Sequence, residues 1–162
     1  MDREEMIEYI QEKHKGQKRK QGTPYYLHPI AVSNLLKEKG FPMDYQIVGL
    51  FHDLLEDTDT TYEEILEKTN PEIAEAVRLV TKEPGYQMKE YMNRIKKNDM
   101  ARMVKLADRI HNLSEAHLAS IPFQIKYIYE TEKWFFDLAK DTVFEQDLKQ
   151  VLEELKKKNK IF

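Results

Sequence analysis

The segment Tyr45-Gln-Ile-Val-Gly-Leu-Phe-His-Asp-Leu-Leu-Glu-Asp57 decides how the chain is to be read. Its apolar residues, Ile47, Val48, Leu50, Phe51, Leu54 and Leu55, recur with helical rather than alternating spacing and wrap most of a helix circumference. That is the pattern of a central, buried helix from Tyr45 to about Asp57, with Asp44 as its N-cap. Yet the same helix carries His52, Asp53, Glu56 and Asp57. Residues four apart share a helix face, so His52 and Glu56 form one column and Asp53 and Asp57 a neighbouring one, about 100° round. An imidazole and three carboxylates on a buried helix are unfavourable unless a cation or arginines compensate them.

The rest of the chain is also helical in period, with only five Gly and six Pro as punctuation. The fold class expected is all-α, a bundle of about eight to nine helices. A first helix runs from about Asp2 to Lys15, and a second starts near His28-Pro29 and buries Ala31, Val32, Leu35 and Leu36 before Gly40. Thr60 and Thr61 offer overlapping capping boxes with Glu63 and Glu64 for a fourth helix, and Asn70-Pro71 starts a fifth. Met88–Lys97 reads as a solvated helix. Asp99 is expected to cap a long one with Met100, Met103, Val104, Leu106, Ala107, Ile110 and Leu113 on its apolar side. Two more follow Pro122, one aromatic around Trp134, read as core, and one Lys-rich from Phe144 to Lys158.

Composition narrows the function. The 162 residues are expected to form a single domain, residues 1–162. A net charge of −3 and the absence of a basic excess argue against general nucleic-acid binding. There is no cysteine, which removes disulfides, thiolate metal sites and cysteine nucleophiles and leaves His, Asp and Glu as metal ligands. The acidic N-terminus does not read as a signal peptide. The longest run free of Asp, Glu, Lys and Arg, Gln21–Leu36, is broken by Gly22, Pro24 and Pro29 and is no membrane span. A soluble, cytoplasmic protein without nucleic-acid or membrane partners is expected.

The long helix repeats the anomaly of the central one, because Asp108, Arg109, His111 and Asn112 interrupt its apolar stretch. His28, His52, Asp53 and Asp108 together make a four-ligand nitrogen and oxygen set. Without sulfur it suits a catalytic Mn²⁺, Fe²⁺ or Zn²⁺ with open positions. Such a metal activates water near neutral pH and polarises a phosphoryl oxygen, and Glu56 and Asp57 are placed to orient or deprotonate that water. Lys18-Arg19-Lys20 supplies the cations that a multiply charged phosphate substrate needs. Each signal has a plainer reading alone: His28 as a cap, Asp57 as a helix end, Lys18 to Lys20 as a solvated loop, Asp108-Arg109 as an internal ion pair, Asn112 as a surface amide. The joint pattern outweighs them, since burying His52 and Asp53 unpaired would be costly.

Three stretches resemble a known family: His14-Lys-Gly-Gln-Lys-Arg-Lys-Gln-Gly-Thr-Pro-Tyr-Tyr-Leu-His28-Pro, His52-Asp-Leu-Leu-Glu-Asp-Thr58 and Val104-Lys-Leu-Ala-Asp-Arg-Ile-His-Asn112. In order and wording they are similar to the HD-domain hydrolases of the Rel/Spo stringent-response enzymes and their small stand-alone homologues, over about Met6 to Ala119. The resemblance implies a helical HD fold and a Mn²⁺-dependent 3′-pyrophosphohydrolase acting on guanosine tetra- and pentaphosphate. It implies His28, His52, Asp53 and Asp108 as metal ligands and Glu56 and Asp57 as the pair managing the attacking water. Arg19, Lys20 and Asn112 are implied as nucleotide contacts, and His14 and His111 as supporting residues.

Three departures from the family pattern stand out. The chain has no room for synthetase and regulatory domains, so hydrolysis alone is expected. The connection from Thr81 to Val104 is short, and Asn112 is followed by Leu113-Ser114-Glu115 where an Arg and a Thr are usual, so that an acidic Glu115 falls near a polyphosphate. Those differences leave open two other readings: the same chemistry on a nucleoside monophosphate or the 2′-phosphate of NADPH, and a non-catalytic protein whose metal only ties helices together. Oligomeric state is not legible.

Overall fold

A computed structural model describes residues 2–160. Among these the helices are α1 (Arg3–Lys13), α2 (Leu27–Glu38), α3 (Met43–Phe51), α4 (Leu54–Asp57), α5 (Tyr62–Lys68), α6 (Pro71–Val80), α7 (Met88–Lys96), α8 (Asp99–Glu115), α9 (Ile121–Glu130), α10 (Phe136–Ala139) and α11 (Glu145–Asn159). The fold is all-helical as expected, and no strand occurs among the described residues beyond one isolated bridge between Lys18 and Pro24.

Several starts follow the expected chemistry. Asp2, Thr61 and Asn70 each accept a backbone N–H in the first turn of α1, α5 and α6. Only the second of the two threonine boxes is used. Two caps differ from expectation. Pro42 precedes α3 and places Asp44 in its first turn, and Asn98, not Asp99, caps α8 by accepting from the Ala101 N–H at 3.0 Å. An amide oxygen one residue earlier serves the same orphan donor.

The decisive departure is in the opening segment, which is not one helix. The backbone turns at His52 and Asp53, and α4 is a single turn. On a continuous helix, neighbours His52 and Asp53 would point about 100° apart. The break lets them converge, with His52 Nε2 3.1 Å from Asp53 Oδ2. Two further readings change. α7 is not fully solvated but buries Tyr91, Met92 and Ile95, and the aromatic segment is interrupted by a π-helical turn, Thr131–Phe135, with Phe135 buried, Trp134 half-buried and Tyr129 exposed.

The core is organised around α3 and α8. α3 packs on α1, α2, α6 and α8, and α8 also packs on α2, α6, α7 and α11. Val48, Leu50, Phe51, Val104, Leu106 and Ala107 have no solvent exposure. The α2–α3 contact is close because Gly49 sits there: a Cβ at Gly49 would lie 3.0 Å from Leu36 Cδ1 and 3.2 Å from Ser33 Cα. This contact sets the distance between His28 on α2 and His52 at the end of α3. No helix among the described residues is long and apolar enough to cross a membrane.

Candidate metal centre and nucleotide cavity

His28, His52 and Asp108 are buried and bring one ligand atom each within 4.8 Å of one another. His28 Nε2 is 2.7 Å and His52 Nε2 3.1 Å from Asp108 Oδ1. Asp53 joins them, with Oδ2 3.1 Å from His52 Nε2 and 3.9 Å from His28 Nε2. α2, α8 and the α3–α4 turn each contribute, so the four expected ligands meet only in the tertiary structure.

The outer atoms fix the rings. His52 Nδ1 lies 2.6 Å from the Gly49 carbonyl, so Nδ1–H donates there and, in a neutral ring, Nε2 is the lone-pair nitrogen. His28 Nδ1 shares a proton with His111 Nδ1 at 2.7 Å. The Nε2 lone pair of His52 then faces the carboxylate oxygens of Asp53 and Asp108, an arrangement that requires positive charge among them, either an extra proton or a metal ion. This donor set fits a divalent cation, with the other nitrogen of each ring already engaged.

The titration behaviour expresses the same demand. Burial opposes a charge on His52, but Asp53 and Asp108 outweigh it and raise its pKa well above the ordinary imidazole value. Burial likewise works against ionised Asp53, yet His52 and His28 lower its pKa to about 2. Asp108 is also lowered against the effect of burial, chiefly by Lys105, whose Nζ stands 3.4 Å from Oδ2, and by the two histidines. The internal ion pair of Asp108 is therefore with Lys105. Arg109 instead lies buried between the rings of Tyr127 and Phe135, at 3.9 and 4.0 Å from their centroids.

Glu56 and Asp57 line a separate cleft of about 460 Å³ with Leu55 and the segment Lys82–Tyr86. The Glu56 carboxylate accepts the Lys82 backbone N–H. Thus the short connection after Thr81 closes one wall of this cleft. Asp57 is pushed up to about 6 by burial first and then by the charges of Asp53 and Glu56.

A second cavity, about 400 Å³, is lined by Lys18, Arg19, Lys20, Tyr25, Asn112, Glu115, Phe123 and Tyr127 among others. Its volume and its mixture of aromatic and polar lining suit a small ligand. Arg19, Lys20 and Asn112 are thereby brought together, with Arg19 Nη2 donating to Asn112 Oδ1 at 3.0 Å and Lys20 Nζ 3.7 Å from the Phe123 centroid. Asn112 Nδ2 is 3.4 Å from Asp108 Oδ1, which ties this wall to the His/Asp set.

Residues missed in the sequence complete the site. The Tyr25 hydroxyl donates to Asp53 Oδ2 at 2.8 Å, and Lys105 faces Asp108. Tyr25 lay inside a quoted stretch, but nothing in its spacing indicated which carboxylate it would meet. His14 is fully buried with Nδ1 2.9 Å from Gln17 Oε1, and His111 is pushed down to about 4 by burial and then by His28. Both are supporting positions beside the set.

Helices closing on two histidines and two aspartates define an HD-type architecture. A profile of the HD domain matches residues 7–141, most of the chain, and the protein belongs to the HD-domain family. It is 39% identical over 140 residues to the guanosine-3′,5′-bis(diphosphate) 3′-pyrophosphohydrolase of Aquifex aeolicus, covering 82% of this chain and 20% of that one. It is 34% identical over 120 residues to guanosine-3′,5′-bis(diphosphate) 3′-pyrophosphohydrolase MESH1 of Danio rerio, covering 68% of this chain and 67% of the relative. The chain thus spans about a fifth of the Aquifex protein and two thirds of the fish one. A solved structure of a metazoan ortholog of SpoT that hydrolyses ppGpp has the same fold, with a TM-score of 0.81 over 98% of this chain and 96% of that chain at 24% identity.

Proposed function

We propose that the protein is a metal-dependent phosphohydrolase that removes the 3′-diphosphate of guanosine 3′,5′-bis(diphosphate), releasing pyrophosphate. The observation that carries this reading is the convergence of His28, His52, Asp53 and Asp108 between an Arg19–Asn112 cavity and a Glu56–Asp57 cleft. Likeness to relatives named for this reaction supports it. Residues 1–162 are read as one phosphohydrolase domain, since helices from both ends pack on α3 and α8.

In this reading His28, His52, Asp53 and Asp108 hold one divalent cation. The sulfur-free donor set supports Mn²⁺, with Fe²⁺ and Zn²⁺ as alternatives. Bound there, the cation would lower the pKa of water and polarise a phosphoryl oxygen. Glu56 and Asp57 orient the attacking water and take its proton, which the raised pKa of Asp57 suits. Arg19 and Lys20 counter the substrate's charge, and Asn112 holds its sugar-phosphate side. A cytoplasmic setting and a guanosine polyphosphate partner belong to the same proposal.

Purified protein with Mn²⁺ should release pyrophosphate from the tetraphosphate, and His52→Ala or Asp53→Ala should abolish release. Full activity in either variant would sink the assignment. The ion pair between Arg19 and Glu115, 3.0 Å long, favours one second reading, a less charged nucleotide such as a nucleoside monophosphate or the 2′-phosphate of NADPH. Catalytic efficiencies across these substrates separate the two.

A further inference from the structure

Glu115 has polar neighbours at both oxygens and a hydrogen bond at one. Its Oε1 is 3.0 Å from Arg19 Nη2 and 3.5 Å from His111 Nε2, and its Oε2 accepts from Gln21 Nε2 at 3.1 Å. Arg19 and Glu115 are mostly buried, with side-chain exposures of 13% and 30%. Arg19 Nη2 gives its hydrogen bond to Asn112 instead, so the Arg19–Glu115 pair is a charge contact without a hydrogen bond, and both Arg19 Nε and Glu115 Oε1 have no hydrogen-bond partner. The contact is therefore not the two-point fork that makes arginine–carboxylate pairs strong. It holds the guanidinium in place and neutralises it, through a single point that another anion can contest.

The surroundings say what that anion is. Arg19 and Glu115 line the same cavity as Tyr25, Phe123 and Tyr127, and as Lys18 and Lys20, which form no ion pair among the described residues. The wall therefore has three cations and one carboxylate beside aromatic surface, the chemistry of a phosphorylated nucleoside. We propose that Glu115 is a specificity-determining residue: an intramolecular competitor for Arg19 that the substrate's phosphate must displace, and which biases the site against the most highly charged nucleotides. This rests on the cavity being the nucleotide site, and it goes beyond that reading in assigning charge selection to a side chain of this chain.

Glu115→Gln tests it, because the amide keeps an oxygen for Arg19 and a similar shape while removing the charge. Binding of GDP, which lacks a 3′-diphosphate, is measured by calorimetry at several salt concentrations. Glu115→Gln should tighten GDP about three- to tenfold and steepen the dependence on salt. In an Arg19→Gln background the same change should have no effect, since Glu115 acts through Arg19. In turnover, the ratio of kcat/KM for guanosine penta- over tetraphosphate should rise about twofold or more. A variant that melts at the wild-type temperature with unchanged GDP affinity and salt dependence overturns the proposal, as does tightening of equal size without Arg19, or absence of GDP binding to both proteins. If GDP affinity responds while neither guanosine polyphosphate is hydrolysed, the charge competition stands and the proposed reaction falls. Where the variant loses melting stability, Glu115→Asp, which keeps the charge and shortens the reach, should leave the salt dependence near wild type, and a steepened one overturns the idea.

Discussion

The His/Asp set and the cavity wall around Arg19 are neighbours built on opposite principles. The set uses short side chains on core elements: His28 on α2, Asp108 on α8, and His52 and Asp53 at the α3–α4 turn. Each ring is locked by its second nitrogen, and exposure is a few per cent for His28, His52 and Asp108. The cavity wall is held by long side chains, of which Arg19, Lys20 and Gln21 project from a loop and reach α8 and α9 through one or two contacts each. A rigid, packed set positions chemistry; a loop-borne wall adjusts to what is bound. In the proposed reading this difference in construction separates reactivity from selectivity, and a change at Glu115 retunes the second without touching the first.

The sharpest way to break this contrast is Asp108→Asn. It removes the charge that both imidazoles face, and turnover should fall by about 10³-fold or more, with loss of any stabilisation by Mn²⁺ in melting. Retained turnover would mean that the set is structural only. Glu56→Gln comes next: kcat should drop about 10²-fold with little change in metal-dependent melting, as expected for a group that manages a proton. A parallel loss of metal-dependent stabilisation would merge the cleft with the set.

Gly49→Ala probes the packing beneath the rings. A Cβ there meets Leu36 and the backbone of Ser33, so α2 and α3 must part, at about 1–3 kcal/mol of stability by denaturant titration. Because the Gly49 carbonyl holds His52, metal affinity should weaken as well. If stability falls and metal affinity does not, the set is less rigid than its packing indicates. Tyr25→Phe is the mildest change, deleting only the hydroxyl on Asp53, and should lower metal affinity about tenfold with the fold intact. An effect on nucleotide KM alone would assign Tyr25 to the cavity wall it also lines.

Much of this was legible in the chain before folding. Helical periodicity located the long helices, and side-chain chemistry located the Thr61 capping box and the Asn70-Pro71 start, because a cap is a contact within one turn. His52, Asp53 and Asp108 stood out as polar residues on apolar stripes. Periodicity missed the break between α3 and α4, since the apolar residues on either side keep helical spacing through a backbone turn. It also made α7 polar overall while hiding the Tyr91, Met92 and Ile95 face that α8 covers.

By itself, then, the sequence determined an all-helical chain, an HD-type wording of motifs and a pool of donors free of sulfur, because periodicity and residue chemistry are local properties. Which nitrogen meets which oxygen was decided only by tertiary structure. Of four such contacts, Lys105 on Asp108 is an i,i+3 pair within α8, whereas Tyr25 on Asp53, Lys82 on Glu56 and Glu115 on Arg19 depend on where separate elements come to rest. Three of these four contacts join residues more than two dozen positions apart, and no period in the chain encodes the angle at which one helix crosses another.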